Sequence, residues 1–232
     1  MKRNLLVLAT ALSALAFPAS ATITQMPDRV TLGATDSIQW DVLGTSGTSL
    51  SRSFSLDTVL GHNVNVRGQF SSLRLDQGDG WTGDFLNGSQ LLASDGNFLF
   101  EINPDGLFQG AGLEIDTEYL GDYTAKMVAL DANGTVLGTV RGEGTATGSA
   151  DDSALFLGFL SDAIDVDRFV VRLTSAAARL DQFAINHVNL VFDVNDLPGP
   201  IAPVPEAKNA ALMGGLALLI AGAWRRARSR QG

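Results

Sequence analysis

Met127-Val128-Ala129-Leu130-Asp131-Ala132-Asn133-Gly134-Thr135-Val136-Leu137 reads as strand, turn, strand. Two short apolar runs flank Asp-Ala-Asn-Gly, and Asn-Gly is the dipeptide that tight hairpins favour because both residues tolerate a left-handed backbone. Outward from this hairpin the same two-residue period recurs. Phe98, Phe100 and Ile102 share one face of a strand, and Phe169, Val171 and Leu173 share one face of another. The last apolar stretch, Phe183 to Val194, changes phase midway. Phe183 and Ile185 are odd-numbered, whereas Val188, Leu190, Phe192 and Val194 are even. A one-residue slip would turn half of that strand outward, so a β-bulge near Asn186 or His187 is predicted to return both halves to the core. No long stretch between residues 22 and 197 holds a 3.6-residue apolar period.

Composition agrees with many short strands joined by turns. The chain has 232 residues, 25 of them Gly, with 45% hydrophobic and 18% charged residues, so a packed core is expected and a disordered polyelectrolyte is not. Strands without helical crossovers predict an all-β fold of two packed antiparallel sheets. A length near 180 residues favours a jelly-roll-like β-sandwich over a seven-stranded immunoglobulin-like domain. The absence of Cys removes disulfides, thiolate zinc sites and Cys nucleophiles. Residues 22–205 hold nine Lys/Arg against 24 Asp/Glu, a balance of −15. Such a domain repels phosphate backbones, which argues against nucleic acid as a partner.

Both ends read as addresses. Met1-Lys2-Arg3-Asn4 is a cationic start, Leu5 to Phe17 an apolar core, and Ala19-Ser20-Ala21 supplies small residues for signal peptidase. Residues 1–21 are therefore predicted to be a Sec signal peptide, with the folded domain at 22–197. Pro198 to Pro205 form a Pro-rich linker that stiffens the chain. The remainder, 206–232, contains an apolar run from Ala210 to Trp224, roughly 22 Å long as a helix. Trp224, Arg225, Arg226 and Arg228 follow it as an interfacial aromatic and a basic stop.

This ending resembles the PEP-CTERM sorting signal of exported proteins in exopolysaccharide-producing Gram-negative bacteria. The match covers about 28 residues: Val204-Pro205-Glu206, the run Leu212 to Gly222, and the basic end Trp224 to Arg228, with Ala207 standing where a second Pro is common. The resemblance implies that a membrane-embedded exosortase reads the Pro-Glu region, cuts near it and releases the protein outward. The inner membrane would then hold the tail only transiently. An unprocessed single-span anchor is the alternative, although the run is short for a hydrocarbon core of about 30 Å. A second, looser resemblance joins Ala154 to Phe159, Ile164 to Val171 and Asp181 to Val188 to the closing strands of PEP-CTERM globular domains. It implies a sandwich related in shape to carbohydrate-binding modules.

Chemistry-bearing motifs are sparse. His62 and His187 are the two histidines, one in a turn and one at the expected bulge, and neither Gly-x-Ser-x-Gly nor His-Glu-x-x-His occurs. Arg141-Gly142-Glu143-Gly144-Thr145-Ala146-Thr147-Gly148 lacks the Lys-Ser/Thr ending of a phosphate loop and reads as a flexible loop. Asp76, Asp79 and Asp84, and separately Asp162, Asp165 and Asp167, concentrate the hard oxygens that calcium prefers, without the spacing of an EF-hand. They read as a candidate calcium site or as solvated turns. Trp40 and Trp81, with Tyr119 and Tyr123, read as core aromatics or as a sugar-stacking platform. No cofactor other than calcium is suggested.

These features predict an exported, non-enzymatic protein of the cell envelope, surface or extracellular matrix, with a structural or adhesive role beside exopolysaccharide. A carbohydrate-binding module and a secreted polysaccharide hydrolase are the competing readings, the latter because 24 acids allow many carboxylate pairs. Mass spectrometry of protein recovered outside the cell is expected to find a species that begins at Thr22 and ends near Glu206. An intact chain retained in the cytosol would contradict export.

Overall fold

A computed structural model describes residues 21–193 of the chain. In chain order the strands are β1 (Ile23–Met26), β2 (Asp36–Ile38), β3 (Thr48–Leu50), β4 (Ser53–Asp57), β5 (Asn63–Arg67), β6 (Ser72–Gln77), β7 (Gly80–Trp81) and β8 (Gln90–Ser94). They continue as β9 (Phe100–Pro104), β10 (Gly110–Thr117), β11 (Gly121–Leu130), β12 (Val136–Ala146), β13 (Leu155–Ser161), β14 (Arg168–Ser175), β15 (Phe183–Ile185) and β16 (Val188–Val191). One four-residue helix, α1 (Arg29–Leu32), is capped by Asp28, whose Oδ1 accepts from Thr31 N at 2.7 Å.

The strands form two sheets. One runs β1-β13-β10-β15-β8-β6-β3, with β16 also on β10, β2 on β16 and β7 on β6. The other runs β12-β11-β14-β9-β5-β4. All pairs are antiparallel except the two-residue contact of β7 with β6. The chain passes between the sheets repeatedly, so each inner face draws residues from distant parts of the sequence. Phe100 on β9 and Phe183 on β15, in opposite sheets, have ring centroids 5.2 Å apart. Phe159 and Phe169 meet edge-on at 6.2 Å across the same interior. The shared core also holds Trp40, Val64, Ile102, Leu113, Met127, Val171 and Leu190. This is a sandwich.

The expected strands on β14 and β9 are present with one change. Phe169, Val171 and Leu173 are buried together, as are Phe100 and Ile102, but Phe98 precedes β9 and is 48% exposed. The hairpin joins β11 to β12 as expected, through a longer turn than two residues. Asp131 N donates to Thr135 O, and Asp131 Oδ1 accepts from Asn133 N and Thr135 N, which closes a loop over Asp131–Thr135. Gly134, at φ +80°, supplies the one left-handed residue that the loop needs.

The predicted bulge is present. Ile185 faces Ile115 and Asn189 faces Gly112, so three residues of the closing stretch lie opposite two of β10. Asn186 fills the irregularity. Its N donates to Glu114 O at 3.1 Å, its Oδ1 accepts from Glu114 N at 2.9 Å, and its carbonyl accepts from Trp40 Nε1 at 2.8 Å. Phe183 and Ile185 on one side and Val188, Leu190 and Phe192 on the other are thereby all buried. Val194 lies outside the described residues.

Residues 141–146 are not a flexible loop. They complete β12, an edge strand of the six-stranded sheet. Arg141, Glu143 and Thr145 point outward, and Gly142 and Gly144 face the interior where side chains from neighbouring strands crowd in. A Cβ on Gly142 would meet the Leu155 and Leu157 side chains at 2.9–3.1 Å, and one on Gly144 would meet the Tyr123 ring at 2.5–2.9 Å. The alternating glycines are therefore a packing requirement, easily mistaken for flexibility in a sequence. The Tyr123 hydroxyl donates to Ile115 O at 2.8 Å and accepts from Leu155 N at 3.3 Å, tying β11 to the opposite sheet. Gly144→Val should displace that ring and destabilise the domain by about 1–3 kcal/mol, measured by urea denaturation; an unchanged midpoint would show that Tyr123 is not held there.

Candidate functional site

The outward faces of the two sheets differ. The ten-stranded sheet is roofed in two places. Trp81 and Phe85, from the segment after β6, cover Leu75, Leu91, Ala93 and Ala184 as a second small core. Leu32 of α1 covers Met26 and Val191, with half-buried Phe156 and Leu160 beside them. Gly112 makes room for that helix, since a Cβ there would come within 2.8 Å of Leu32. The six-stranded sheet has no such cover among the described residues. Its outward positions alternate with more buried ones and are mostly polar, among them Ser55, Asn65, Asn103, Lys126, Arg141 and Arg172, with half-buried Val128, Leu130 and Val170 among the apolar exceptions.

Two shallow clefts open on this polar face. One, of about 350 Å³, is lined by Asn63, Asn65, Asn103, Pro104, Asp105, Gly106 and Asp167. Cross-strand register brings Ser55, Asn65 and Asn103 into one row. Asn65 Nδ2 lies 3.3–3.4 Å from the Ser53 and Ser55 hydroxyls, and Asn63 Nδ2 donates to Asp57 Oδ1 at 3.0 Å. The Asn103 amide is satisfied when its nitrogen donates to Asp167 O and Pro104 O at 3.1 and 3.0 Å. The other cleft, of about 400 Å³, is lined by Asp122, Tyr123, Thr124, Glu143, Gly144, Thr145 and Ser175. Thr145 Oγ1 donates to Asp122 Oδ1 at 2.7 Å on its floor.

A third cleft, of about 230 Å³, lies on the ten-stranded sheet between the two roofed regions, among Ser37, Gln39, Trp40, Gln90, His187 and Asn189. Burial, and then the nearby Arg29 charge, push the His187 imidazole down to about 4, so it is neutral at physiological pH. Arg29 itself pairs with Glu114 at 2.9 Å.

The sequence-predicted site residues are scattered. Trp40 is fully buried and Trp81 is 4% exposed, so both serve the core and neither offers a ring face as a sugar platform. Tyr123 is buried with them, and Tyr119 is half-buried. The six aspartates do not converge. Asp76 pairs with Arg74 at 2.5 Å, Asp167 with Arg168 at 2.7 Å, Asp162 accepts from Thr22 N at 2.9 Å, and Asp165 accepts from Ser161 Oγ at 3.0 Å. Asp79 is exposed, its backbone bonded to Asp76. Among the described residues no three acidic or imidazole side chains are grouped to hold a metal. His62 stacks on Phe192 with centroids 4.2 Å apart.

Ala21 is the first described residue; Ala19, Val204, Pro205, Glu206, Trp224, Arg225, Arg226 and Arg228 lie outside the described residues. No helix among the described residues is long and apolar enough to cross a membrane. What sequence reading missed is the Asn and Ser row. Each member is an ordinary outward residue of its own strand, and only cross-strand register places them side by side.

One acid pair has opposed electrostatics. Asp84 N donates to Asp116 Oδ2 at 2.8 Å, and the Asp84 carboxylate accepts from Thr147 N, Thr147 Oγ1 and Ser149 N at 2.7–2.8 Å. Burial alone would raise Asp84; the Thr147 and Ser149 donors outweigh it and hold the carboxyl below its usual range. Burial dominates at Asp116, which is pushed up to about 6. Opposed shifts of this kind mark acid and base in some hydrolases. Here the two groups are 1% and 0% exposed, sealed beneath the roof and stapling it to the loop after β12.

No family model matches the chain, and no curated protein does. Solved structures similar to it include a DUF4465 family protein from Bacteroides caccae, 9% identical, with a TM-score of 0.43, over 67% of this chain and 98% of that one. Another is CsCBM6-3 from Clostridium stercorarium, solved in complex with cellobiose, 14% identical, with a TM-score of 0.25, over 67% of this chain and 92% of that one. At these scores neither likeness transfers a site to this chain.

The buried acid gives a pH signature. Between pH 3.8 and about 6 the folded chain binds more protons at Asp116 than the unfolded chain does, so raising pH through that window removes stability, by at most about 3 kcal/mol. Asp116→Asn should flatten that part of the profile relative to the parent protein in denaturation measured from pH 4 to 7. Parallel profiles for the two proteins would contradict the assignment.

Proposed function

We propose that the chain is an exported, non-catalytic β-sandwich of jelly-roll-like winding that binds polysaccharide on the outer face of its six-stranded sheet. In this reading it serves a structural or adhesive role in the cell envelope or extracellular matrix. The observation that carries it is the contrast between the two outward faces. One is roofed by Trp81, Phe85 and Leu32; the other is left open and lined with amides and hydroxyls. Asn side chains present donor and acceptor together, the pairing that a sugar hydroxyl needs, and the side-chain Oδ1 atoms of Asn63 and Asn65 accept from no described residue. Ladder-like polar rows on a rigid sheet place such groups without the ordering cost of a loop.

Support for the non-catalytic part comes from the acid pair: a polysaccharide hydrolase needs its two carboxyl groups open to the glycosidic bond, and Asp84 and Asp116 are closed off. Support for export comes from the sequence alone: residues 1–21 have the pattern expected of a signal peptide, and residues 204–228 resemble a PEP-CTERM signal, which would make an exosortase the processing partner. The test is a glycan array on the full-length chain. Retention of at least one polysaccharide is expected, and Asn65→Ala with Asn103→Ala should weaken it tenfold or more, about 1.4 kcal/mol. The melting temperature should stay within a few degrees, because exposed positions carry little stability. An array with no retained glycan would overturn the reading.

A further inference from the structure

Three of the nine cationic side chains in the described domain stand in a single row. Lys126 on β11 faces Arg172 on β14 on one side and Arg141 on β12 on the other, in direct cross-strand register. Neighbouring strands lie about 4.8 Å apart, so the three charges cross some 10 Å of sheet and end at its edge strand. Their outward direction follows from the burial of Ala125 and Met127, Val171 and Leu173, and Val140 on the same strands. Like charges directly opposite one another destabilise a sheet, and partners usually relieve them. Here no ion pair does. Arg29, Arg74, Arg168 and Arg179 are each paired with a carboxylate, whereas Arg141, Lys126 and Arg172 are within ion-pair distance of none among the described residues. Glu143 and Asp122 lie further along the same face on one side, and Glu101 lies on the other. Partial burial and then the two guanidinium charges lower the Lys126 ammonium, as expected of crowded cations.

We propose that this row is a docking site for an acidic polysaccharide, whose carboxylates would neutralise the three cations. The proposal rests on the glycan reading above and names the class of polymer. Charge complementarity supports it on a domain that is otherwise strongly acidic. A flexible polyanion is repelled by most of such a surface and is steered to a row where, among the described residues, three uncompensated cations line up across adjacent strands. The carboxylates of a polyuronate are carried along a chain of sugars whose hydroxyls can engage the polar positions beside the row. Arginine suits the outer places because its fork matches a carboxylate with two parallel bonds.

The test is affinity electrophoresis of the full-length chain through gels containing a polyuronate, an uncharged glucan or single-stranded DNA. A triple variant, Lys126→Gln, Arg141→Gln and Arg172→Gln, is run beside the parent. Retardation by the polyuronate is expected to exceed that by glucan or DNA, and to vanish near 1 M salt, where the screening length is about 3 Å. The triple variant should bind the polyuronate at least tenfold more weakly. Its melting temperature should match or exceed the parent's, because a repulsion has been removed. Equal retardation by glucan and polyuronate, unchanged in the variant, would overturn the row while leaving polysaccharide binding in place. Equal binding to DNA would show unspecific anion exchange and would also overturn it. No retardation by any polymer would overturn both this proposal and the reading on which it rests.

Discussion

The one-residue irregularity at Asn186 sets the register of the closing stretch, and much of the fold depends on it. Without the extra residue, either Phe183 and Ile185 or Val188, Leu190 and Phe192 would face away from the core. Both halves pair with β10, which lies inside the ten-stranded sheet and also carries β13. The bulge is stabilised by specific polar bonds. Asn186 exchanges bonds with Glu114 and receives the indole N–H of fully buried Trp40, so a large core aromatic is satisfied by the backbone that the bulge exposes.

From that register the two faces of the sandwich follow. With Leu190 inward, Val191 is outward, and α1 lays Leu32 over it. With Phe183 and Ile185 inward, Ala184 is outward and joins the patch under Trp81 and Phe85. The roof is held by Asp84 and Asp116, buried carboxyls whose hydrogen bonds go to the loop after β12 and to the roof's own backbone. The opposite sheet has no roof among the described residues, since most of its outward residues are polar and the apolar Val128, Leu130 and Val170 are half-buried by their neighbours. Exposed polar surface on a stiff sheet is available for recognition, and the amide row and the cationic row both lie there.

Strand existence and phase were legible in the chain wherever apolar residues alternate with polar ones, as at Phe169, Val171 and Leu173. The bulge was legible for the same reason, because a change of parity in one apolar stretch has few other physical explanations. Residues 141–146 were misread because glycine has no side chain to show a phase: Gly142 and Gly144 are inward positions whose occupants are absent by requirement. Trp40 and Trp81 were ambiguous because an aromatic in or beside a strand has the same sequence signature whether it faces the core or solvent. The aspartate clusters misled because closeness in sequence along a turn does not aim carboxylates at a common point; Asp76, Asp84 and Asp167 each meet a different partner.

By itself, the order of residues determined the class of fold, the hairpin around Asn133-Gly134 and the bulge at Asn186, since each is a local pattern of polarity or turn chemistry. Only the tertiary structure decided which outward residues stand together. Asn65 and Asn103 are 38 positions apart, and Lys126 and Arg172 are 46 apart. They become neighbours through hydrogen-bond register between strands, a property of pairs of segments that no single segment carries.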